Sequence, residues 1–507
     1  MENSNQPKNI LLISSTDKKE MADVKWLGPP LGLLRLAGYL NHHGHNAEWI
    51  DTNFGLIQGK ENYLEEKLKE KPWDVIGVSV LDNSMFNDIN NIYLARKFCP
   101  NALLVAGGIG AQFDYQTILD KSPCKIAILG EGEVPFLRIV NGGPLENIPG
   151  VVFRKDAEFL NKEKFLEATE NIEWEKIPYE EYWDLYMEKY KDDLTEERLD
   201  QIHTVRIFTR NRCPVGCNFC ASTNQLPLAC NKSVGIVDII DEEDRLINII
   251  KRVKNAHPRL RTIYFTDDDF CVNSEKVISF CKKVVAGNLK LKFICLARVD
   301  DMKEEMVSWM AKAGFRVIIL GVESFCQRTL NDFNKKYNTE IVDEKIQLLK
   351  KYNIHPFITI ILMSPNSTLE DLEMTVDKEM EYIKDGSVTS STVLACIPFK
   401  GSKFNEECFD YATEILEIPG TNFKIKNNVM ILANDPLVRE VQLKFLKGIN
   451  KEIEVMKGEH HSAAKQAMVR LSFIKRLIQE VRENPGQENL MASQALRGID
   501  KDRYQGL

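Results

Sequence analysis

Short apolar runs alternate with helical stretches along most of this chain, and they do so in two blocks. In the first block, Asn9-ILLIS, Asn46-AEWID, Trp73-DVIGVSVL, Asn101-ALLVAGG and Lys125-IAILGEGE read as strands. The third is nearly continuous in apolar residues, as a strand buried on both faces is. Between the first two lies GPPLGLLRLAGYLNHHGH, Gly28 to His45. It places Leu31, Leu33, Leu34, Leu36 and Leu40 on a helix, with Gly44 at about the C′ position. Alternating β and α with apolar strands predicts a doubly wound, Rossmann-like parallel sheet for residues 1–150.

In such sheets ligands bind beyond the carboxyl ends of the strands. Two glycine-bearing turns fall there, Gly107-Gly108 and Gly130-Glu131-Gly132-Glu133. Glycine lets a backbone approach a ligand closely. Each turn is also compatible with a purely structural, flavodoxin-like domain.

Residues 151–202 read as a connector. NIPGVVFRKDAEF has the look of a hairpin closing the first domain, and the stretch from Leu160 to Asp200 is charged and partly helical. Trp174, Tyr182 and Trp183 are expected to pack on a neighbour rather than line a substrate site.

The alternation resumes over 203–402. Six strand candidates start at Val205, Arg261, Leu291, Arg316, Pro356 and Ser391, and EEMVSWMAKAG ends at a glycine stop. Six β/α units predict a partial (β/α)6 barrel with its chemistry at the carboxyl ends of the strands. Residues 403–507 read mainly as helices, from DPLVREVQLKFLKGINKEIEVM and AAKQAMVRLSFIKRLIQEV. His460 and His461 are adjacent and so do not face each other on a helix, which predicts a solvated pair. The tail after Asn484 is expected to be mobile.

Directly after the first strand of the second block comes Arg212-CPVGCNFCAS. Cys213, Cys217 and Cys220 form a C-x3-C-x2-C triplet. Three thiolates on one short loop can hold three irons of a [4Fe–4S] cluster. Full ligation takes four cysteines, so a triplet leaves one iron open to a substrate or cofactor. No fourth Cys or His lies at finger spacing, which argues against zinc. The competing reading is three scattered core thiols.

The 507 residues exceed what one hydrophobic core supports. A net charge of −8 without a dominant basic run suggests no large nucleic-acid footprint. No stretch of about 20 apolar residues exists to span a membrane. The polar start MENSNQPKN lacks the apolar run of a secretory signal. Twelve cysteines without an export signal fit a reducing cytoplasm.

The order PPLGLL, SVL, AGG, GEGE resembles the N-terminal domain of cobalamin-binding radical SAM enzymes (SAM, S-adenosyl-L-methionine). The resemblance implies cobalamin contacts from Pro30, Leu31 and Gly32, from Ser79 and Leu81 of an S-x-L element, from Gly107 and Gly108, and from Gly130 and Glu131. Many cobalamin folds carry D-x-H-x-x-G. The first loop here, SSTDKKEMADVKW, has no histidine, so cobalamin would lack that ligand, or the domain has lost the cofactor.

The second block resembles the radical SAM superfamily, over most of residues 9–402 in all. That implies SAM on the open iron. Phe219 stands where the family has an aromatic residue. Asp267 and Asp268 of FTDDDF would accept from the SAM ammonium group, although a helix-capping cluster is the alternative. Arg298 of ARVD would pair with the SAM carboxylate, against a surface ion pair. Glu323 of GVES would hydrogen-bond SAM, against a solvated loop glutamate. Met363-SPNST departs from G-x-P-G-E-T, Arg210-Asn211-Arg212-Cys213 from R-G-C, and Pro398-FKGS from P-x-P-G-T.

The resemblance implies a methyltransferase acting on an unactivated carbon through a 5′-deoxyadenosyl radical and methylcobalamin. It implies an external one-electron reductant such as flavodoxin or ferredoxin, and a small-molecule or peptide substrate. The alternatives are radical rearrangement, cyclisation or C–C bond formation without methyl transfer, and a non-enzymatic iron–sulfur or cobalamin sensor.

Overall fold

The structure is a computed structural model and describes residues 6–15, 28–82, 84–153, 167–222, 238–240, 244–407, 409–457 and 463–486. The chain divides into two compact units. The first comprises 1–212, 224–262 and 415–425, and the second 213–223, 263–414 and 426–507.

The first unit is built on a six-stranded sheet in the order β2-β1-β3-β4-β5-β6. Its strands are β1 (Asn9–Ser14), β2 (Asn46–Asp51), β3 (Val75–Ser79), β4 (Leu103–Gly107), β5 (Ile126–Ile128) and β6 (Val151–Val152). The first five are parallel, and β6 runs antiparallel to β5. The apolar runs become strands because both faces are covered. Ile10 and Leu12 point into one core cluster, Leu11 and Ile13 into the other. Helices α1 (Leu31–His42), α2 (Met85–Phe98), α3 (Ile109–Lys121) and α4 (Glu133–Val140) supply the covering layers. Gly44 sits at C′ of α1 with φ +86°, the left-handed geometry that ends a helix. After β1 the chain lays β2 on one side and β3 on the other, so the switch point of this sheet lies at the carboxyl ends of β1 and β3.

The hairpin expected from NIPGVVFRKDAEF is seen only in its first strand, β6, because residues 154–166 lie outside the described ones. The connector aromatics are anchors. Trp174, Tyr182 and Trp183 are almost fully buried. Tyr182 donates to Asp51 Oδ2 at 3.1 Å and stacks at 4.4 Å on Phe54. Trp183 Nε1 donates to the Thr204 carbonyl at 3.3 Å.

All six strand candidates of the second block form: β7 (Thr204–Ile207), β8 (Thr262–Phe265), β9 (Lys292–Arg298), β10 (Phe315–Glu323), β11 (His355–Met363) and β12 (Thr389–Ala395). Within the second unit the sheet runs β12-β11-β10-β9-β8, with β9 through β12 parallel. In the first unit, the amides of Arg261 and Thr262 at the start of β8 donate to the His203 carbonyl just before β7. A cluster of Phe265, Phe270, Phe280, Phe293 and Phe315 packs behind β8 to β10.

The C-terminal region carries the two expected helices and, ahead of them, a hairpin that the helical reading did not include. Strands β13 (Tyr411–Glu417) and β14 (Lys424–Ile431) form a hairpin ahead of helices Pro436–Lys457 and Ala463–Glu483. The signal was there to read: ATEILEI and KIKNNVMI flank a Pro-Gly-Thr-Asn turn, with Gly420 at φ +74°. His460, His461 and the tail beyond 486 lie outside the described residues.

One glycine fixes how the connector meets α1. A Cβ on Gly38 would lie 2.1 Å from the Asn171 carbonyl oxygen. Alanine gains about 1 kcal/mol of helix propensity over glycine, but a clash with backbone has no rotamer escape and overpacking costs about 1–3 kcal/mol. Gly38→Ala is therefore expected to destabilise the protein by up to about 2 kcal/mol net. A lower denaturant midpoint checks this, and a rise would contradict it.

Candidate functional site

The carboxyl edge of the first unit carries the glycine turns, packed tightly against the loop after β3. A Cβ on Gly108 (φ +92°) would come 2.7 Å from the Val80 carbonyl oxygen, and one on Gly110 2.9 Å from the Leu81 carbonyl carbon. The Val80 amide donates to the Gly107 carbonyl at 2.7 Å, and the Gly110 amide to the Val80 carbonyl at 2.9 Å. Asp88 holds the same loop, accepting from the Leu81 amide at 3.0 Å and from Ser84 at 2.6 Å. Gly32, Gly107 and Gly132 face open space. Ser79, Leu81, Gly107 and Gly108 are thus brought together at one edge, with exposed Ile109 beside them. An edge of bare glycine backbone fits the approach of a large planar ring such as cobalamin.

Gly130 (φ +81°) and Glu131 follow β5. Glu133, at the start of helix Glu133–Val140, pairs with Arg35 of α1 at 2.9 Å. Pro30 caps α1, and Leu31 and Gly32 open it. Burial and the charge of Glu133 lift the Glu131 carboxyl from its ordinary 4.5 to about 8, with Arg35 opposing.

In the second unit, Cys213, Cys217 and Cys220 are half-buried on a loop with little secondary structure. Its shape comes from outside. The Asn218 amide donates to the Phe333 carbonyl at 3.0 Å, and its side chain to the Asp332 carbonyl at 2.7 Å. Asn334 Nδ2 donates to the Gly216 carbonyl at 2.9 Å. Phe219 meets Phe333 edge-on at 5.1 Å. Burial raises all three thiols, Cys213 to about 11 and Cys220 to about 12, while Lys335 and Arg298 pull Cys217 back. A metal would have to displace those protons.

Among the described residues, no three Cys, His, Asp or Glu side chains converge on a single-ion site.

Around the loop stand the other expected residues. Arg298 ends β9, with Nη1 3.9 Å from Cys217 Sγ and Nη2 2.9 Å from Asp300. Burial is the largest influence and opposes its charge, but the Asp300 hydrogen bond and the charges of Asp300, Cys217 and Asp301 together outweigh it and the guanidinium pKa rises. Asp267 is 1% exposed, whereas Asp268 is exposed and accepts from Ser222 Oγ. Asp268 therefore ties to the cysteine loop rather than capping a helix. Glu323 is 7% exposed, not a solvated loop residue, and has φ +63° at a bulge between β10 and β11.

Sequence reasoning missed Lys335 and Tyr337. Lys335 Nζ lies 3.0 Å from Glu323 Oε1, and Tyr337 donates to the Val322 carbonyl at 2.6 Å. In Phe333-NKKYN the lysine pair looks like solvated charge. Only the glutamate it meets marks it.

Comparisons with known proteins agree with this geometry. The Radical SAM superfamily profile matches residues 207–378, and the B12 binding domain profile matches residues 20–140. An uncharacterized methyltransferase of Pyrococcus horikoshii is 23% identical, over 98% of this chain and 99% of its own. An anaerobic magnesium-protoporphyrin IX monomethyl ester cyclase of Cereibacter sphaeroides is 26% identical, over 71% of this chain and 56% of its own. The structure of the radical S-adenosylmethionine methyltransferase TsrM of Kitasatospora setae, solved with cobalamin and a [4Fe–4S] cluster, shares the fold. Its TM-score is 0.62 at 14% identity, covering 94% of this chain and 100% of that one.

A radical SAM domain thus follows an N-terminal B12-binding domain in this chain, and the two domains imply a [4Fe–4S] cluster, SAM and cobalamin as cofactors. No described helix is long and apolar enough to cross a membrane.

Glu131 gives a pH test. Its folded pKa lies above the unfolded value, so the native protein keeps a proton that the unfolded chain releases. The resulting stability is complete below about pH 4.5 and is lost as pH rises through about 8. Glu131→Gln keeps the neutral shape and removes this dependence. Its Tm should exceed the wild-type value increasingly between about pH 4.5 and pH 8 and by a constant amount above that. Parallel Tm profiles would contradict the assignment.

Proposed function

We propose that this protein is a cobalamin-dependent radical SAM methyltransferase acting on an unactivated carbon of a small-molecule or peptide substrate. The observation that carries the reading is the three-cysteine loop of the second unit, bordered by Arg298, Asp268 and Glu323. The full-length relative that bears a methyltransferase name supports it.

When bound, the reduced cluster supplies the electron that cleaves SAM, and cobalamin supplies the methyl group. Cys213, Cys217 and Cys220 would hold three irons and leave the fourth open. Arg298 suits the SAM carboxylate through its forked donors, and Asp267 and Asp268 would accept from the ammonium group. Glu323 would hydrogen-bond SAM from its bulge, and Phe219 would shield the loop from water. Pro30, Leu31, Gly32, Ser79, Leu81, Gly107, Gly108, Gly130 and Glu131 would border cobalamin. The first loop carries no histidine, so none from that motif would ligate cobalt. A low-potential donor such as flavodoxin or ferredoxin would supply electrons.

A second reading has its own support. The cyclase relative favours ring formation without methyl transfer. Product mass separates the two, because methylation adds one CH2 and consumes a second SAM.

The decisive measurement is the corrinoid and iron content of anaerobically purified protein, with SAM cleavage assayed beside it. The wild type should hold both cofactors and form 5′-deoxyadenosine. Cys217→Ala should lose cluster iron and at least about 100-fold of SAM cleavage, the scale of removing a group on which the chemistry depends. Full-rate cleavage in that variant would sink the cluster assignment. Absence of corrinoid would sink methyl transfer.

A further inference from the structure

We propose that Lys335 is a positioning residue for the cysteine loop: its buried ammonium group tunes the reduction potential of the cluster held there and fixes the Glu323 carboxylate. The inference rests on the cluster reading above and adds a residue to it.

Lysine is almost never fully buried unless paired, and Lys335 is 5% exposed. Its Nζ lies 3.0 Å from Glu323 Oε1 and 3.0 Å from the Gly321 carbonyl oxygen. It also stands 5.9 Å from the ring centroid of Phe219, the residue preceding Cys220. Arg298, 3.9 Å from Cys217 Sγ, is another cation at this loop.

The same side chain bears on the strained backbone. Glu323 has φ +63°, which non-glycine residues adopt only when their surroundings impose it. Lys335 holds its carboxylate and the Gly321 carbonyl, while Tyr337 holds the Val322 carbonyl at 2.6 Å. A Cβ on Gly321 would lie 2.7 Å from Glu323 Oε1 and 3.1 Å from Lys335 Nζ, so glycine leaves room for the pair.

The charge argument has a definite sign. A cluster on three thiolates gains one negative charge on reduction. Nearby net charge is a principal determinant of cluster potential, and a cation in a low-dielectric site stabilises the more negative state. Lys335 therefore raises the potential and eases electron entry, while Glu323 offsets part of that field.

The test is a redox titration of the reconstituted full-length protein without SAM, using dithionite and mediators. The reduced cluster is followed by electron paramagnetic resonance and iron content is measured in parallel. Lys335→Met should shift the midpoint to more negative potential, and Lys335→Arg should stay near wild type. Glu323→Gln leaves the ammonium uncompensated and should shift the midpoint the other way. Wild-type midpoints in both Lys335→Met and Glu323→Gln, at full iron content, would overturn the inference. If Lys335→Met fails to take up iron, the Glu323→Gln midpoint decides alone. If the wild type itself takes up no cluster, the cysteine assignment fails first and this inference with it.

Discussion

The second unit depends on how a loop without regular structure is held in shape. Cys213 to Cys220 cannot position three thiols through their own backbone bonds, of which few are internal. The segment after β10 does it instead. Backbone and side-chain bonds from Asn218 reach Phe333 and Asp332, Asn334 reaches back to Gly216, and Phe333 closes on Phe219. The Phe404 amide donates to the Asn218 carbonyl at 3.0 Å and adds a clasp from after β12. Each bond is worth only about 0.5–1.5 kcal/mol. Together they fix the loop before any metal arrives, so a cluster need not bear the whole cost of ordering it.

Much of the architecture was legible because strands buried on both faces must be apolar along their length. Asn9-ILLIS and Trp73-DVIGVSVL therefore announced themselves, as did all six strands of the second block. The hairpin β13–β14 was less visible because its alternation is diluted by charge at Glu414, Glu417, Lys424 and Lys426. The cysteine triplet was legible because its chemistry is local. Burial was not. Asp267 and Asp268 are identical in sequence terms, yet one is buried and the other is exposed against Ser222. Lys335 was hidden for the same reason, since nothing in Lys-Lys tells which side chain turns inward.

The departure at Met363-SPNST shows how a different sequence makes the same kind of turn. Ser367 Oγ accepts from the Ser364 amide at 2.9 Å and meets Thr329 at 3.2 Å. Thr368 and Asp371 then form a reciprocal cap on helix Leu369–Lys384. Asn366 bridges Asp332 at 2.9 Å and Asn434 at 2.8 Å. Asp332 also lends its carbonyl to Asn218. The Asn366 amide and the Ser367 hydroxyl, which replace one glycine and the glutamate, thus join the turn to the segment that holds the cysteine loop. A change at Asn366 would be felt at Asn218 through one shared residue.

The two units solve one steric problem by opposite means. Where a ligand must come within reach of backbone, side chains have to leave or turn away. At the edge of the first unit they are missing: Gly107 and Gly132 face open space, and Gly108 and Gly110 let two turns meet. Glycine costs stability in the unfolded chain's favour, but it tolerates left-handed geometry without strain. In the second unit the left-handed position carries Glu323, which pays about 1–3 kcal/mol in strain. Lys335 and Tyr337 supply contacts that offset that cost. A glycine at 323 would relieve the backbone and strand the ammonium group of Lys335, so strain and charge at this point form a single constraint.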